Sequence, residues 1–462
     1  PWWGLHLLLG LYLFLACASW ALGKTKDPLF RPTLLLALLI GAALPFFFLL
    51  QFTVSSILAA GGALLLARSL RQEATPPLPQ TLLCAAALFY SFLTRPEGFL
   101  LAVAAFLPLL LLEPRRKPWP SRLTKTAAWL LALLVLCWTL DFQAYRSDPG
   151  WKEFRSFNAA RTQLLDYSKL RYNQAMAPHF ARAGWTPTDL GMFLSWNFLD
   201  EGKFSQEAFE KISQGYRQTH LPLPDPGELR SVLPLRPLGV LTFFFLVLLA
   251  LVPKGKRMAP VLYLAWTLSL FLGMSAFLKA SNWVFFPLVF LAPLLALGET
   301  QPTKGPLGKR LATWALLCCA CFLAFLYHSS HRALKDRETA LRSDLARLAP
   351  TKDKLYTAWG SAFPFEAFGA LDDLEEFRDF PLFSLAVFQR SPVGKAQLKK
   401  FQVTDLMKEL SSRKDLLLIC TKEQGALYGA CMKEQRGIDI RAEKVYEGGN
   451  FQAYRIDIAH RP

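Results

Sequence analysis

Apolar stretches of membrane-spanning length recur along this chain of 462 residues, and the connections between them are alternately rich in Lys/Arg and nearly free of it. The basic connections are Gly23–Pro32, Arg68–Gln80, Glu113–Thr126, Pro253–Met258 and Glu299–Arg310. Together they carry sixteen Lys/Arg in fifty-five residues, against four Asp/Glu. The intervening connections Phe52–Thr53, Thr94–Glu97 and Phe277–Asn282 are short, and their only cations are Arg95 and Lys279. Positive charge beside a span resists translocation, so the basic connections belong on the cytoplasmic side. One topology satisfies them all, and it leaves both large polar segments outside.

The pattern gives ten spans, at residues 5–22, 33–51, 54–67, 81–93, 98–112, 127–141, 237–252, 259–276, 283–298 and 311–327. Several are shorter than the ~20 apolar residues that cross a bilayer unaided, so their ends can shift. Pro96 breaks the long apolar run 81–112, and a hairpin with its tip at Thr94–Gly98 keeps the flanking basic connections on one side. A 53% hydrophobic composition excludes an ordinary soluble enzyme of this length. Most of the formal net charge of +17 sits in the basic connections, where orientation requires it, which speaks against nucleic acid as a partner.

Four regions follow: N-terminal membrane helices over 1–141, an extracytoplasmic helical loop domain over 142–236, C-terminal membrane helices over 237–327, and an extracytoplasmic soluble α/β domain over 328–462. The expected fold is an α-helical polytopic membrane protein carrying these two outer parts. Phe142–Arg236 has twelve Lys/Arg against ten Asp/Glu and too many aromatic residues for a disordered linker. Phe157–Leu170 and Thr188–Leu199 have helical periodicity, with Thr186 or Thr188 as the cap of the second, and Ser205 opens a third helix ending near Gly215. Leu221–Pro226 reads as extended. In the tail, Arg332–Leu348 is a charged helix, and Lys354–Trp359 and Asp415–Cys420 have strand patterns. Thr404–Ser412 and Lys422–Gln435 are helical, and Val445–Glu447 and Phe451–Ile458 form a hairpin about Gly448-Gly449-Asn450.

Six of the eight cysteines lie in apolar stretches, as small packing residues do. Cys420 and Cys431 lie in the outer tail, where either free thiols or a disulfide fits their spacing. Neither the cysteines nor the histidines, His328 and His331 included, have metal-ligand spacing. The first residue is Pro, and at least one span with an outer loop is expected to precede it.

The sharpest local feature is Arg95-Pro96-Glu97-Gly98, which puts a guanidinium and a carboxylate at the outer mouth of a helical hairpin. Ionisable groups at membrane depth are costly and commonly functional. Arg95 can hold a phosphate bidentately, and Glu97 can orient a hydroxyl or Arg95 itself. The plainer alternative is a hairpin tip whose charges rest in the interface.

The stretch Thr94-Arg95-Pro96-Glu97-Gly98 resembles one that opens an apolar helix in bacterial C-type (GT-C) glycosyltransferases. An outer loop with Trp151, Phe157-Asn158, Arg161 and Asp166, then Met192-Phe193-Leu194-Ser195-Trp196 and Asp200, is similar too. So is a tail with Tyr356-Thr357-Ala358-Trp359-Gly360 followed by Phe363-Pro364-Phe365-Glu366. The resemblance implies transfer of a sugar from a polyprenyl-phosphate carrier at the outer face of the bacterial inner membrane. The acceptor would be a glycan, a lipid or a protein. It also implies that the main acidic residue lies in an outer loop upstream of Pro1. No cofactor is expected, and a divalent cation is compatible with the chemistry.

A phosphate leaving group needs cationic support, and an acceptor hydroxyl gains from a positioned carboxylate. The candidate cations are Arg95, Arg161 and Lys279, with snorkelling as the alternative for Lys279. The candidate catalytic carboxylates are Glu97, Asp166 and Asp200. Asp166 lies five residues beyond Arg161, which a simple surface salt bridge at helical spacing does not explain. Asp189 reads as a helix-dipole residue, and Asp200-Glu201 as a helix end. Trp151, Trp185 and Trp196 are either a sugar-stacking platform or anchors that bury the loop at the membrane interface. Two other functions stay open: a lipid-linked oligosaccharide polymerase or ligase, which relies more on Arg and His, and a non-catalytic membrane assembly or binding module.

Overall fold

A computed structural model describes residues 2–22, 51–112, 119–168, 170–219, 241–242, 245–250, 252–277, 282–299, 335–347, 354–365 and 381–459, together with positions 314, 321, 325, 328, 332, 333 and 368. Its helices are α1 (Trp2–Leu22), α2 (Phe52–Leu70), α3 (Leu78–Thr94), α4 (Pro96–Leu112), α5 (Ser121–Ser147), α6 (Pro149–Leu165), α7 (Ala177–Arg182), α8 (Pro187–Leu194), α9 (Gln206–Thr219), α10 (Met258–Phe277), α11 (Asn282–Glu299), α12 (335–347), α13 (Pro392–Lys400), α14 (Leu406–Glu409) and α15 (Lys422–Arg436). Its strands are β1 (Leu355–Ala358), β2 (Leu382–Ser384), β3 (Leu416–Ile419), β4 (Ile440–Glu447) and β5 (Gln452–Ile458). Two compact units result, one of Pro1–Leu140 with Leu223–Arg332, the other of Asp141–Pro222 with Ala333–Pro462.

In the first unit, α1 to α5, α10 and α11 cover seven of the apolar stretches expected to span a membrane. Among the described residues four helices, Gly4–Leu22, Phe52–Leu70, Ser121–Ser147 and Lys254–Ser275, are long and apolar enough to cross a bilayer. The stretch 33–51 lies outside the described residues except for Gln51, and 237–252 and 311–327 are described only in part. Helix α5 extends six residues beyond the expected 127–141 at each end. Its flanks hold helix-forming polar residues such as Arg122, Lys125 and Gln143, so the apolar window measures the span rather than the helix.

Helix α2 is the centre of this unit, and small residues explain why. A side chain at Gly61 would collide with Leu291 of α11, and one at Gly62 with the Phe14 backbone of α1. Such positions let apolar helices approach closely where no hydrophobic force drives them together. Polar side chains join the same helices, with Ser56 bonded to Ser91 through paired hydroxyls 3.0 Å apart.

Contacts across the unit sort its connections into two ends. At one end Glu299 bonds Arg68 at 2.6 Å and meets Lys256 at 3.2 Å. There too Arg71 lies 4.9 Å from the centroid of the Trp119 ring, and Arg122 donates to the Pro76 carbonyl at 2.5 Å. At the other end Arg95 lies 4.8 Å over the Phe52 ring, and His6 Nε2 is 3.1 Å from Thr94 Oγ1. Residues from four basic connections thus meet at the end opposite Arg95. The chain returns from Arg95 to Trp119, beside Arg71, so α3 and α4 form a hairpin. Its tip is the single extended residue Arg95 (φ −159°, ψ 100°).

The second unit is built on a five-stranded sheet of order β2-β1-β3-β5-β4. Strands β2, β1 and β3 are parallel, β5 is antiparallel to β3, and β4 is antiparallel to β5. Side chains alternate across it, as the pleat requires. Leu355, Leu416 and Leu418 face a core that includes Phe157, Phe180, Trp185, Phe193, Phe198 and Phe209. Tyr356, Ala358, Leu417 and Ile419 face a second core with Leu341 and Leu345 of α12. The two large polar segments, far apart in sequence, therefore share one hydrophobic core.

Local signals set the element ends. Asp148 caps α6 by accepting from the backbone N–H groups of Gly150 (2.8 Å) and Trp151 (3.1 Å), and Pro149 occupies the first turn. The helix thus starts before the expected Phe157 and stops at Leu165. Thr186 and Asp189 form a capping box at the start of α8, which ends at Leu194. Strand β4 starts at Ile440 rather than Val445, and the short edge strand β2 was not expected from the sequence. The buried Asp344 carboxylate accepts from Tyr446 Oη (3.0 Å), Gly449 N (3.3 Å) and Asn450 N (3.0 Å), tying α12 to the hairpin turn. Leu221–Pro226 lies outside the described residues.

Candidate functional site

The first cluster of candidate residues lies at the tip of the α3–α4 hairpin. The Arg95 Nε is 3.7 Å from a Glu97 oxygen, and the Glu97 side chain is 67% exposed. Among the described residues the Arg95 side chain makes no hydrogen bond, leaving its forked Nη groups for an outside acceptor. Its neighbour is the Phe52 ring, whose centroid lies 4.8 Å from the guanidinium carbon, within cation–π range. The helix break is itself bonded in place, since Ser56 Oγ donates to the Arg95 carbonyl at 3.0 Å. Gly98 is needed because a side chain there would strike Ser56 Oγ.

Beneath this tip is a polar network that sequence reading missed. Tyr90 Oη donates to the His6 carbonyl at 2.8 Å and lies 2.9 Å from Ser55 Oγ. The His6 ring stands 4.9 Å from the Tyr90 ring and reaches Thr94, the residue before Arg95. A lone His in an apolar helix carries no periodicity, so only the fold shows that it belongs with Arg95. Lys279 lies outside the described residues.

The second cluster lies in the other unit. Arg161 is buried on α6, with its Nε donating to Asn158 Oδ1 (3.0 Å) and Nη2 to Thr162 Oγ1 (2.7 Å). Two further bonds join it to both oxygens of Asp166, at 3.1 and 3.0 Å. The guanidinium also lies 4.9 Å from the centroid of the Trp196 ring. Four of its five N–H donors are thus satisfied internally, an arrangement that fixes the loop and leaves little for a substrate. Trp196 is 38% exposed and has φ +63°, in the left-handed region. It follows the end of α8, where Asn197 N bonds Met192 O and Trp196 N bonds Phe193 O, both at 3.0 Å. That is a Schellman motif with Trp at the position Gly usually fills. The same turn is gripped by Trp359, whose Nε1 donates to Ser195 O at 2.7 Å.

Asp200 is half-buried and uses Oδ1 to accept from Gly202 N (2.9 Å) and Lys203 N (3.0 Å), which makes it first a turn-former. Next to it, Glu201 lies 3.4 Å from Arg390, whose guanidinium also stands 4.6 Å over the Phe157 ring. Burial holds Arg390 below its ordinary pKa, opposed by the carboxylates of Glu201, Glu153 and Asp200. Its Nη1 is buried without a partner. No motif marked Arg390, because its partners come from segments remote in sequence.

The three tryptophans do not form one platform. Trp185 is 3% exposed and belongs to the core, with its Nε1 donating to Lys203 O. Trp151 is half-buried between Tyr145 (5.3 Å) and Phe154 (5.7 Å). Asp189 is fully buried, bonded to Thr186 and Gln435 and 3.5 Å from Lys203, which makes it a structural carboxylate. Cys420 and Cys431 are free and buried. Among the described residues no group of three or more His, Cys, Asp or Glu comes together as metal ligands do.

No protein-family model matches the sequence, and no curated protein matches it. Among solved structures the chain is similar to ArnT from Cupriavidus metallidurans in the apo state, with 12% sequence identity and a TM-score of 0.41, over 98% of this chain and 83% of that one.

Proposed function

We propose that this protein is a membrane glycosyltransferase of the C type, which moves a sugar from a polyprenyl-phosphate donor to an acceptor at the outer face of the inner membrane. The observation that supports this most is the state of Arg95. It stands at a helix break at the end of the bundle away from the basic connections, lies against the Phe52 ring, and makes no side-chain hydrogen bond among the described residues. A guanidinium held this way suits a lipid-linked phosphate, whose charge grows as the sugar leaves. Exposed Glu97 beside it suits an acceptor hydroxyl that must lose its proton. Asp166 and Asp200 act through their turns and hydrogen bonds, positioning the loop rather than touching the reacting atoms. Arg161 and Trp196 support that loop in the same way. Lys279 is a further candidate for the phosphate.

A second reading draws on one observation. His6 and Arg95 share the same end of the unit, and an oligosaccharide polymerase or ligase would rely on such a pair more than on Glu97. The two separate in one assay. Membranes with the full-length protein are given polyprenyl-phosphate-linked sugar, and transfer is followed for Glu97→Gln, Arg95→Ala and His6→Ala. The glycosyltransferase reading expects Glu97→Gln and Arg95→Ala each to lower transfer by about 10²-fold or more with the fold retained. Loss in Arg95→Ala and His6→Ala with full activity in Glu97→Gln selects the second reading. Normal transfer by Glu97→Gln and Arg95→Ala sinks the first.

A further inference from the structure

Helix α5 has 27 residues, and among its buried residues are only Leu123 and Leu134. At 1.5 Å per residue it is about 40 Å long, beyond the roughly 30 Å hydrocarbon core of a bilayer. Its last turns must therefore stand in the headgroup layer, which adds about 5–8 Å on each side. Those turns hold Phe142, Tyr145 and Arg146, with Arg146 lying 5.7 Å over the Phe142 ring. The chain then reverses with only Asp148 between α5 and α6, so the first turn of α6 starts at the same depth.

A ladder of aromatic rings continues from this point. Tyr145 meets Trp151 at 5.3 Å, Trp151 meets Phe154 at 5.7 Å, and Phe154 meets Phe388 at 6.5 Å. Phe388 comes from the far end of the sequence and is 64% exposed, and Val393 near it is 58% exposed. Their exposure is built in. A side chain at Gly394 would clash with the Phe388 carbonyl, so the tight corner between them requires glycine, and Pro392 packs against Gly150 at the start of α6. Basic side chains surround the patch. Arg155 lies 4.8 Å over the Tyr145 ring and 3.4 Å from Asp141, and Lys395 is 3.9 Å from Glu153. These are long, exposed pairs, readily exchanged for lipid phosphate.

We propose that the face carrying Trp151, Phe154, Phe388 and Val393 rests on the membrane, with the rings and Val393 at the headgroup–acyl boundary and Arg146, Arg155 and Lys395 on lipid phosphates. Aromatic rings with flanking long cations are the side-chain set that settles at that depth. The bilayer is the occupant because the patch continues from a helix long and apolar enough to cross it.

The test uses the full chain in phosphatidylcholine nanodiscs containing lipids spin-labelled near the headgroup, in a background where reactive native cysteines are serine. A bimane probe is attached through Phe388→Cys, Val393→Cys or, as a reference on exposed β4, Lys444→Cys. Quenching at 388 and 393 is expected to be at least threefold stronger than at 444. Equal, weak quenching at all three positions overturns the proposal. So does shielding of 388 and 393 from iodide without quenching by lipid, which would mean that a protein covers the patch.

Discussion

Arg161 and Asp166 share two hydrogen bonds, at 3.1 and 3.0 Å, although they are five residues apart on a helix that brings neighbours together at three and four. The helix end makes this contact. Asp166 N and Tyr167 N both bond the Thr162 carbonyl, at 3.0 and 3.2 Å, and this wider, π-type last turn brings the carboxylate five residues on back to the guanidinium. Removing one partner of a buried ion pair costs about 3–5 kcal/mol. The Asp166 carboxylate left behind is 31% exposed, so Arg161→Ala should destabilise the second unit by less than that, about 1–3 kcal/mol. Arg161→Lys should not rescue it, because one ammonium cannot reach Asn158, Thr162 and both Asp166 oxygens together. Thermal unfolding in detergent checks both.

Trp196 offers a test of strain. Its left-handed backbone costs about 1–2 kcal/mol for any residue but glycine. Both Trp196→Ala and Trp196→Gly lose the stack on Arg161, yet only the glycine variant relieves the backbone. Trp196→Gly should therefore be more stable than Trp196→Ala by about 1 kcal/mol, the reverse of the usual order for a helix interior. Paired melting curves decide it.

Glu299 should act as a clamp in the membrane unit. Its carboxylate is 7% exposed and bridges Arg68 and Lys256. Glu299→Ala removes the carboxylate that Arg68 and Lys256 share, with an expected loss of about 3 kcal/mol. An added Arg68→Met should recover much of that loss. Failure of the double variant to recover would show that the pair is not coupled.

Burial raises the thiols of Cys420 and Cys431, each to about 12. Since the thiolate is the nucleophile, both should resist alkylation at pH 8 in the folded protein and react once it unfolds. Their folded values lie above the unfolded value of about 8.5, so they add stability that is fully present below that pH. That contribution declines as pH rises from about 8.5 towards 12. Mass spectrometry after brief alkylation, at rising pH and with or without denaturant, reads both effects.

Several parts of the structure are legible in the sequence because their causes are local. The apolar windows of α1 to α5, α10 and α11 follow from side-chain hydropathy. The hairpin tip follows from Pro96, which cannot extend α3. The start of α8 is legible as a cap at Thr186 or Thr188, of which the fold uses Thr186 with Asp189, and the terminal hairpin follows from Gly448-Gly449-Asn450. Even there, helix ends escaped notice where a polar flank such as Arg122–Thr126 continues the helix past its apolar window.

What the tertiary structure decided is which distant segments meet. Phe157 and Leu416 lie more than two hundred residues apart, yet both belong to one core. No periodicity carries that information, since an amphipathic face says only that something covers it. For the same reason the sequence could mark Arg95 and Glu97 as unusual but could not place His6 and Phe52 beside them, nor bring Glu201 to Arg390. The roles of Arg161 and Trp196 also depend on the fold. A guanidinium is a ligand for phosphate when its donors are open and a brace when they are filled, and only three-dimensional contacts distinguish the two. Composition and pattern determined that this chain enters a membrane and where its apolar windows lie. Packing decided which of its charges are spent on holding the structure and which are left for chemistry.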